Sequence, residues 1–302
     1  MWIQRLELFA IALWPVAPLH AQVSAAQGVE QRVARLERQV VELRTIHDLP
    51  AAGPVELPAE LVGNEHVKWG YPGGTCAFLV REHYVACHDG KKRIPEWVTY
   101  HLTAENLAGD VSRTDNFRAD PDLVPGERAE LIDYTNSGYD RGHMAPAAAF
   151  KRSATAMSQT FLLSNMTPQR PSLNRRLWRQ LEDQVRTLAQ THGSIWIFTG
   201  SLFLDARGNP AEPSSFIGSN DVAVPTHLYK VILCEHDADA IELFAFIVPN
   251  QLQPISGPPQ SFLVSVDSVE TVSGLDFFIA LADAEEEKLE ATVAASWPVR
   301  QE

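Results

Sequence analysis

Asp140-Arg141-Gly142-His143, with Asn174 about thirty residues downstream, gathers the side chains that hydrolysis of a phosphodiester needs. Water attacking such a bond requires a base near neutral pH, positive charge for the crowded transition-state oxygens, and a Lewis acid that steadies the departing oxygen. His143 is the candidate base, because an imidazole with an ordinary pKa of about 6.5 is largely neutral at pH 7. Arg141 carries a permanent charge on a planar fork that matches phosphate oxygens, and Asp140 can orient a neighbouring group or hold water on a metal. Asn174 offers an amide oxygen, a hard ligand suited to Mg2+, with Mn2+ as a substitute. Gly142 lets backbone or ligand come close.

Asn174, Trp178 and Glu182 recur every four residues, so on a helix they share one face, with Leu177 and Leu181 on an adjacent stripe that can face a core. Pro171-Ser172 supply a start signal, Ser172 being able to cap free amides. From Arg141 to Arg186 there are eight basic residues against Glu182 and Asp183, a local positive patch on a chain of net charge −13. The global charge argues against a polyanionic partner, but phosphate binding responds to charge within a Debye length of about 8 Å. Taken singly, His143 and Asn174 would be read as an ordinary histidine and a cap, and only their conjunction points to chemistry. Arg175, Arg176 and Arg179 read as a solvated helix face, His227 as a packed strand residue, and Trp178 as core or wall.

Several motifs in order carry a resemblance. Tyr139 to Pro146, Phe161 to Gln169, and Leu173-Asn174 followed by Trp178, Leu181 and Glu182 resemble the DNA/RNA non-specific endonucleases of the endonuclease G type. Upstream, Tyr84-Val85, Trp97-Val98, Asn106-Leu107 and Phe117-Arg118 are similar to the family's lead-in. Downstream, Thr199-Gly200, Val224 to Val231, Phe246 to Asn250 and Glu270 to Phe278 continue it. The resemblance implies a ββα-metal site, two strands and a helix around one divalent cation, with His143 as general base and Asn174 as direct metal ligand. It further implies that Arg141 and Glu182 steady the phosphate and the metal's water, and that Asn165 supports the site by hydrogen bonding. Whether Arg118 reaches a phosphate is not decided by sequence. The activity so implied is Mg2+-dependent cleavage of DNA and RNA to 5′-phosphate products. The competing reading is a catalytically silent nucleic-acid-binding or scaffold protein that keeps the fold.

The elements around these residues divide the chain. Residues 1–27 place Arg5 before an apolar run from Leu8 to Leu19 and small-residue processing sites, which reads as a signal peptide, with no stable membrane span after cleavage. That implies a periplasmic or secreted protein, the alternative being the mitochondrial intermembrane space. Within 28–48, Val29, Val33, Leu36, Val40, Leu43 and His47 form a short a/d seam, either a coiled coil that makes a homo-oligomer or an amphipathic helix lying on the domain. Residues 49–65 are rich in Ala, Pro and Gly and read as a linker, leaving 66–302 as one catalytic domain.

Strand-like runs are expected at 76–80, 83–87, 97–102, 160–163, 194–198, 227–233 and 241–248, and helices at 173–190 and 278–295. There is no regular βαβ alternation and no Gly-rich nucleotide loop. The expected class is α+β, a mixed, largely antiparallel sheet with flanking helices. Cys76, Cys87 and Cys234 lack the close pairing of a structural zinc site. A two-residue turn at Arg81-Glu82 would set Cys76 opposite Cys87 for a disulfide, but neither turn residue favours that geometry, so two buried thiols are the preferred expectation. Cys234, in the apolar run Val231 to Leu233, is expected as a buried free thiol.

Overall fold

The computed structural model describes residues 58–74, 76–236 and 240–298. The expected signal peptide, the 28–48 seam and the first part of the linker fall outside the described residues. Among those described, no helix is long and apolar enough to cross a membrane.

A seven-stranded antiparallel sheet organises the domain, in the order β1 (Ala77–Val80), β2 (Val85–Asp89), β3 (Ile94–Thr103), β6 (Ser194–Leu202), β9 (His227–Glu235), β10 (Ile241–Pro249) and β11 (Leu263–Val264). Two ribbons stand apart: β4 (Asp140–His143) with β5 (Met166–Gln169), and β7 (Phe216–Ile217) with β8 (Val222–Ala223). Side chains alternate across a strand, so Ile195 and Ile197 enter one core layer while Trp196 and Phe198 enter the other. The first layer holds Leu177, Trp178, Leu181, Val185 and Leu188 of the long helix; the second holds Leu61, Val67, Val266, Val269, Phe277 and Phe278. With both faces covered, central strands become continuous apolar runs such as Val231-Ile232-Leu233. Burying each such Leu, Ile or Phe contributes about 1.5–3 kcal/mol.

Leu61 is fully buried in the second layer, so the end of the linker-like stretch packs with the body.

Two expected elements differ, and one helix was not expected. Thr160–Leu163 is not a strand: a helix at Ala154–Gln159, capped by Ser153, is followed by a 3-10 turn at Leu163–Asn165, and β5 starts only at Met166. A short buried apolar run has no readable period, so Phe161, Leu162 and Leu163 fit either form. The expected 278–295 helix shrinks to Asp283–Glu290, because Phe278 takes φ 56° and turns with Phe277 into the core. A helix at Val266–Ser273 was missed despite its cap signals, Ser265 accepting from the Ser268 amide and Gly274 closing at φ 72°.

The first hairpin corrects the cysteine expectation. Val80 faces Val85 across a longer loop, and Phe78, not Cys76, lies opposite Cys87. Cys76 sits just outside β1 and nevertheless bridges Cys87, their Cα atoms 5.3 Å apart. The expectation of two reduced thiols is therefore wrong at this pair, whereas Cys234 is free and buried as expected.

Candidate active site on the β4–β5 ribbon

Asp140-Arg141-Gly142-His143 is itself strand β4, paired antiparallel with β5 so that Asp140 faces Gln169, Gly142 faces Thr167 and His143 faces Met166. Alternation puts Asp140 and Gly142 on one side and Arg141 and His143 on the other. Gly142 is buried, and a Cβ there would overlap the Gln169 amide. The space that its missing side chain opens is thus filled by protein. Beyond β5 the chain makes one wide π-helical turn, Leu173–Trp178, and continues as the Arg179–His192 helix. Such turns recur at functional sites because they break the regular register. Ser172 does not cap this helix; its hydroxyl donates to the Gln251 carbonyl at 2.5 Å.

Asn174 opens the turn. Its Nδ2 donates to Asp140 Oδ2 at 3.0 Å, which fixes the amide and leaves Oδ1 without a hydrogen bond to the described residues. Arg175 clamps the same carboxylate, Nε on Oδ2 at 2.8 Å and Nη2 on Oδ1 at 2.7 Å. Burial raises the Asp140 carboxyl, but hydrogen bonds from Arg175 and Asn174 and the nearby positive charges outweigh it and hold the group below its ordinary value. Asp140 thus holds the Asn174 amide and the Arg175 guanidinium together. Arg175, expected as part of a solvated face, is exposed but committed to this clamp.

His143 packs edge-on against Phe161 and Phe117, ring centroids 5.1 and 5.7 Å away, and its Nε2 is buried without a hydrogen-bond partner. Burial, then the charges of Arg113 and Arg141, push the imidazole down to about 3. It is neutral at physiological pH and able to accept a proton. Arg141 is exposed, lies 4.1 Å over the Phe117 ring, and makes no hydrogen bond or ion pair with the described residues. Arg113 similarly lies 4.8 Å over Phe161. The loop after His143 is locked by Asn165, which is fully buried: its Oδ1 accepts from the Ala145 amide and its Nδ2 donates to the Ala145 and Thr160 carbonyls, all at 2.9 Å. All three side-chain hydrogen bonds of Asn165 go to backbone groups.

Glu182 is partly exposed on the helix face that begins at Asn174. Burial pushes its carboxyl up to about 7, opposed by the charges of Lys230 and Arg186, with Asp183 adding to the rise. Lys230 on β9 has no exposed surface, and its Nζ sits 4.8 Å from the Trp178 ring centre.

The structure brings Asp140 and Asn174 into contact and places Arg141 and His143 on the opposite face of the same strand. Arg118 donates from Nη1 to the Ser158 and Asn116 carbonyls at 2.9 and 3.2 Å. The basic patch is thinner than the sequence suggests, since Arg175 pairs with Asp140, Arg186 with Asp183 and Arg152 with Glu105. His227 is a half-buried strand residue bonded to Thr226.

Sequence reasoning assigned no role to Phe117, Arg113, Gln169, Lys230 or Asn250. Asn250 ties the ribbon to the main sheet, accepting from the Arg170 amide at 2.7 Å and donating to the Pro168 and Pro225 carbonyls at 2.9 Å. Its place in the Phe246 to Asn250 motif was the available signal.

The sequence profile described as DNA/RNA non-specific endonuclease matches residues 62–284, a span containing every residue of this site. The chain belongs to that family. It is an endonuclease of DNA and RNA, and the family's members are metal-dependent nucleases. The chain is 41% identical to human mitochondrial endonuclease G over 217 residues, covering 70% of this chain and 73% of that one. It is 41% identical to nuclease C1 of Cunninghamella echinulata var. echinulata over 218 residues, covering 70% and 86%. Among solved structures, a chain of the EndoG/EndoGI complex superposes with a TM-score of 0.68 at 36% identity, covering 76% of this chain and 95% of that one.

Proposed function

We propose that this endonuclease hydrolyses the backbone of DNA and RNA with His143 as general base, a single Mg2+ held at Asn174, and a 5′-phosphate on the product. The observation that carries the reading is the conjunction of a neutral imidazole on β4 with an asparagine amide fixed by the Asp140 clamp next to that strand. The donor set fits a hard cation. Asn174 Oδ1 is an uncommitted oxygen, and the groups of three potential ligands among the described residues, Cys76/Cys87/Glu96 and Asp267/Glu270/Glu290, include nothing from β4 or the Asn174 helix. Bound there, Mg2+ would supply Lewis acidity at the phosphate, and Mn2+ has the same preference for oxygen ligands.

The chain's own groups divide the work. His143 takes the proton of the attacking water; burial and the charges of Arg113 and Arg141 leave its imidazole unprotonated before attack. Arg141, exposed and stacked on Phe117, is free to meet phosphate oxygens. Glu182 orders water near Asn174. Asn165 and Asp140 position, the first holding the loop behind His143 and the second holding Asn174. Attack by water makes the 2′-hydroxyl unnecessary, which is why both nucleic acids serve.

A non-catalytic binding or scaffold role is disfavoured, because a binder needs neither a desolvated neutral base nor a clamped oxygen donor. Export to periplasm or medium and entry into the mitochondrial intermembrane space both fit a cleaved N-terminal segment. The name of the human relative favours the second. Self-association through residues 29–47 is the matching proposal for oligomeric state. Incubating the purified protein with plasmid and with RNA, with Mg2+ and with chelator, tests the function. Chelator-sensitive cutting that leaves 5′-phosphates is expected, and binding without cutting would establish the scaffold reading instead.

A further inference from the structure

Three arginines near the ribbon lie over aromatic rings: Arg113 over Phe161, Arg141 over Phe117, and Arg170 over Tyr139 with its Cζ 3.9 Å from the ring centre. Arg113 also pairs with Asp115. Arg170, like Arg141, makes no ion pair or side-chain hydrogen bond with the described residues, and Asp140, the one acid of the ribbon, is taken by Arg175. The backbone of Arg170 is committed on both sides. Its amide donates to Asn250 Oδ1 at 2.7 Å, and its carbonyl accepts from the amides of Leu173 and Asn174, both at 2.9 Å. The residue is thereby fixed where β5 passes into the turn that carries Asn174, while its charge is left over. A stacked guanidinium uses its face and keeps the N–H groups along its edge for oxygen acceptors. Gly138 puts no side chain beside that edge, where a Cβ would come 3.9 Å from Nη1. Register sets the direction: Asp140 faces Gln169, so one step further along the ribbon Tyr139 falls opposite Arg170. Alternation gives Tyr139, Arg141 and His143 one face, and Arg170 joins that face across from Tyr139. Strand residues two apart are separated by about 6.6–6.8 Å, so the roots of the two uncommitted cations and of the imidazole stand in a row.

We propose that Arg170 is a substrate-binding residue: seated on Tyr139, it takes the non-bridging oxygens of a phosphate next to the scissile one and so holds the nucleic-acid strand along the ribbon. The proposal rests on the reading of this ribbon as the nuclease site. A planar fork of donors matches phosphate oxygens, and the aromatic seat fixes the plane of that fork without using up its charge. Contact with a phosphate carries no base information, which suits a nuclease of a non-specific family. Arg141 then serves the reacting phosphate and Arg170 its neighbour, two contacts on one strand of substrate.

Binding of a labelled single-stranded oligonucleotide to the full chain, in chelator so that nothing is cut, is measured over a range of salt for wild type, Arg170→Ala, Arg170→Gln and Arg170→Lys, with thermal denaturation of each. Arg170→Ala and Arg170→Gln are expected to weaken binding about three- to tenfold near physiological salt and to reduce the slope of log affinity against log salt by about 0.7, the value of one phosphate contact on a single strand. Arg170→Lys keeps the charge and should keep the slope. In plasmid cleavage with Mg2+ the loss should fall in KM, with kcat changed by less than about twofold, because a neighbouring phosphate is held equally before and during the reaction. A wild-type salt slope in Arg170→Ala overturns the proposal, as does a loss confined to kcat. A lysine variant whose slope falls as far as that of the alanine variant also overturns it, since the side chain would then support the ribbon and not a phosphate. If Arg170→Ala does not fold, Arg170→Gln, which keeps the stem over Tyr139, gives the slope by itself. Wild-type cutting by His143→Ala removes the ribbon as the active site and the proposal with it, whereas lost cutting in His143→Ala together with a salt slope untouched by Arg170→Gln overturns the proposal alone.

Discussion

Two regions of this molecule bury ionisable side chains, and they treat charge in opposite ways. Under the ribbon and its helix, signs are mixed: Asp140 is clamped by Arg175, Glu182 is opposed by Lys230, and the His143 imidazole sits near Arg113 and Arg141. Where the Val266–Ser273 and Asp283–Glu290 helices meet, signs are alike. Glu290 is 4% exposed, and burial followed by Glu270, Glu286, Asp276 and Asp267 pushes it up to about 10. Burial and neighbouring carboxylates also raise Glu270 to about 8 and Glu286 to about 7. Mixed signs keep charge available at neutral pH, which chemistry on a polyanion needs. Like signs store protons, which stabilises the fold in acid and weakens it in base.

The largest expected effect lies in the first region. His143→Ala should cut plasmid cleavage by at least about 10²–10⁴-fold while leaving nucleic-acid binding nearly intact, because it removes the proton acceptor and leaves Arg141. Cleavage rate and gel-shift affinity read the two separately, and near-wild-type turnover in a folded variant would remove the site from the comparison. Asn174→Ala should raise the Mg2+ midpoint by about 10–100-fold, with activity partly recovered at high Mg2+. An unaltered metal titration would mean that Asn174 only orients Asp140.

Asn165→Ala tests positioning without charge. Losing three buried hydrogen bonds should destabilise the domain by about 2–4 kcal/mol in chemical denaturation and lower cleavage at a temperature where the variant is folded. Wild-type stability would show that the loop behind His143 is held by other contacts.

The smallest effect belongs to the acidic group around Glu290. Because Glu290 titrates in the folded chain at about 10, far above its ordinary 4.5, the native state holds a proton that the unfolded chain releases. That stabilisation is complete below about pH 4.5 and is lost as pH rises toward the folded value. Glu290→Gln should therefore raise the melting temperature by about 2–4 °C at alkaline pH and have little effect in acid. A shift of equal size at both pH values would place the cost in packing and not in charge.

The amino-acid sequence by itself determined the family, the antiparallel α+β class and the identity of the principal site residues. Each rests on local chemistry: short apolar runs rich in β-branched and aromatic residues in β3, β6, β9 and β10, four-residue spacing from Asn174 to Glu182, and an ordered set of motifs around His143. Tertiary structure decided what those residues are joined to. The Asp140 clamp links β4 to the helix across more than thirty residues, the aromatic ring beside Lys230 comes from that helical turn, and Asn250 ties the ribbon to a sheet strand that no spacing rule connects with it. The Cys76–Cys87 bridge likewise depended on a register that turn chemistry misjudged. Periodicity and propensity act over one turn or one strand, whereas burial, pairing and desolvation depend on which distant segments the fold packs together.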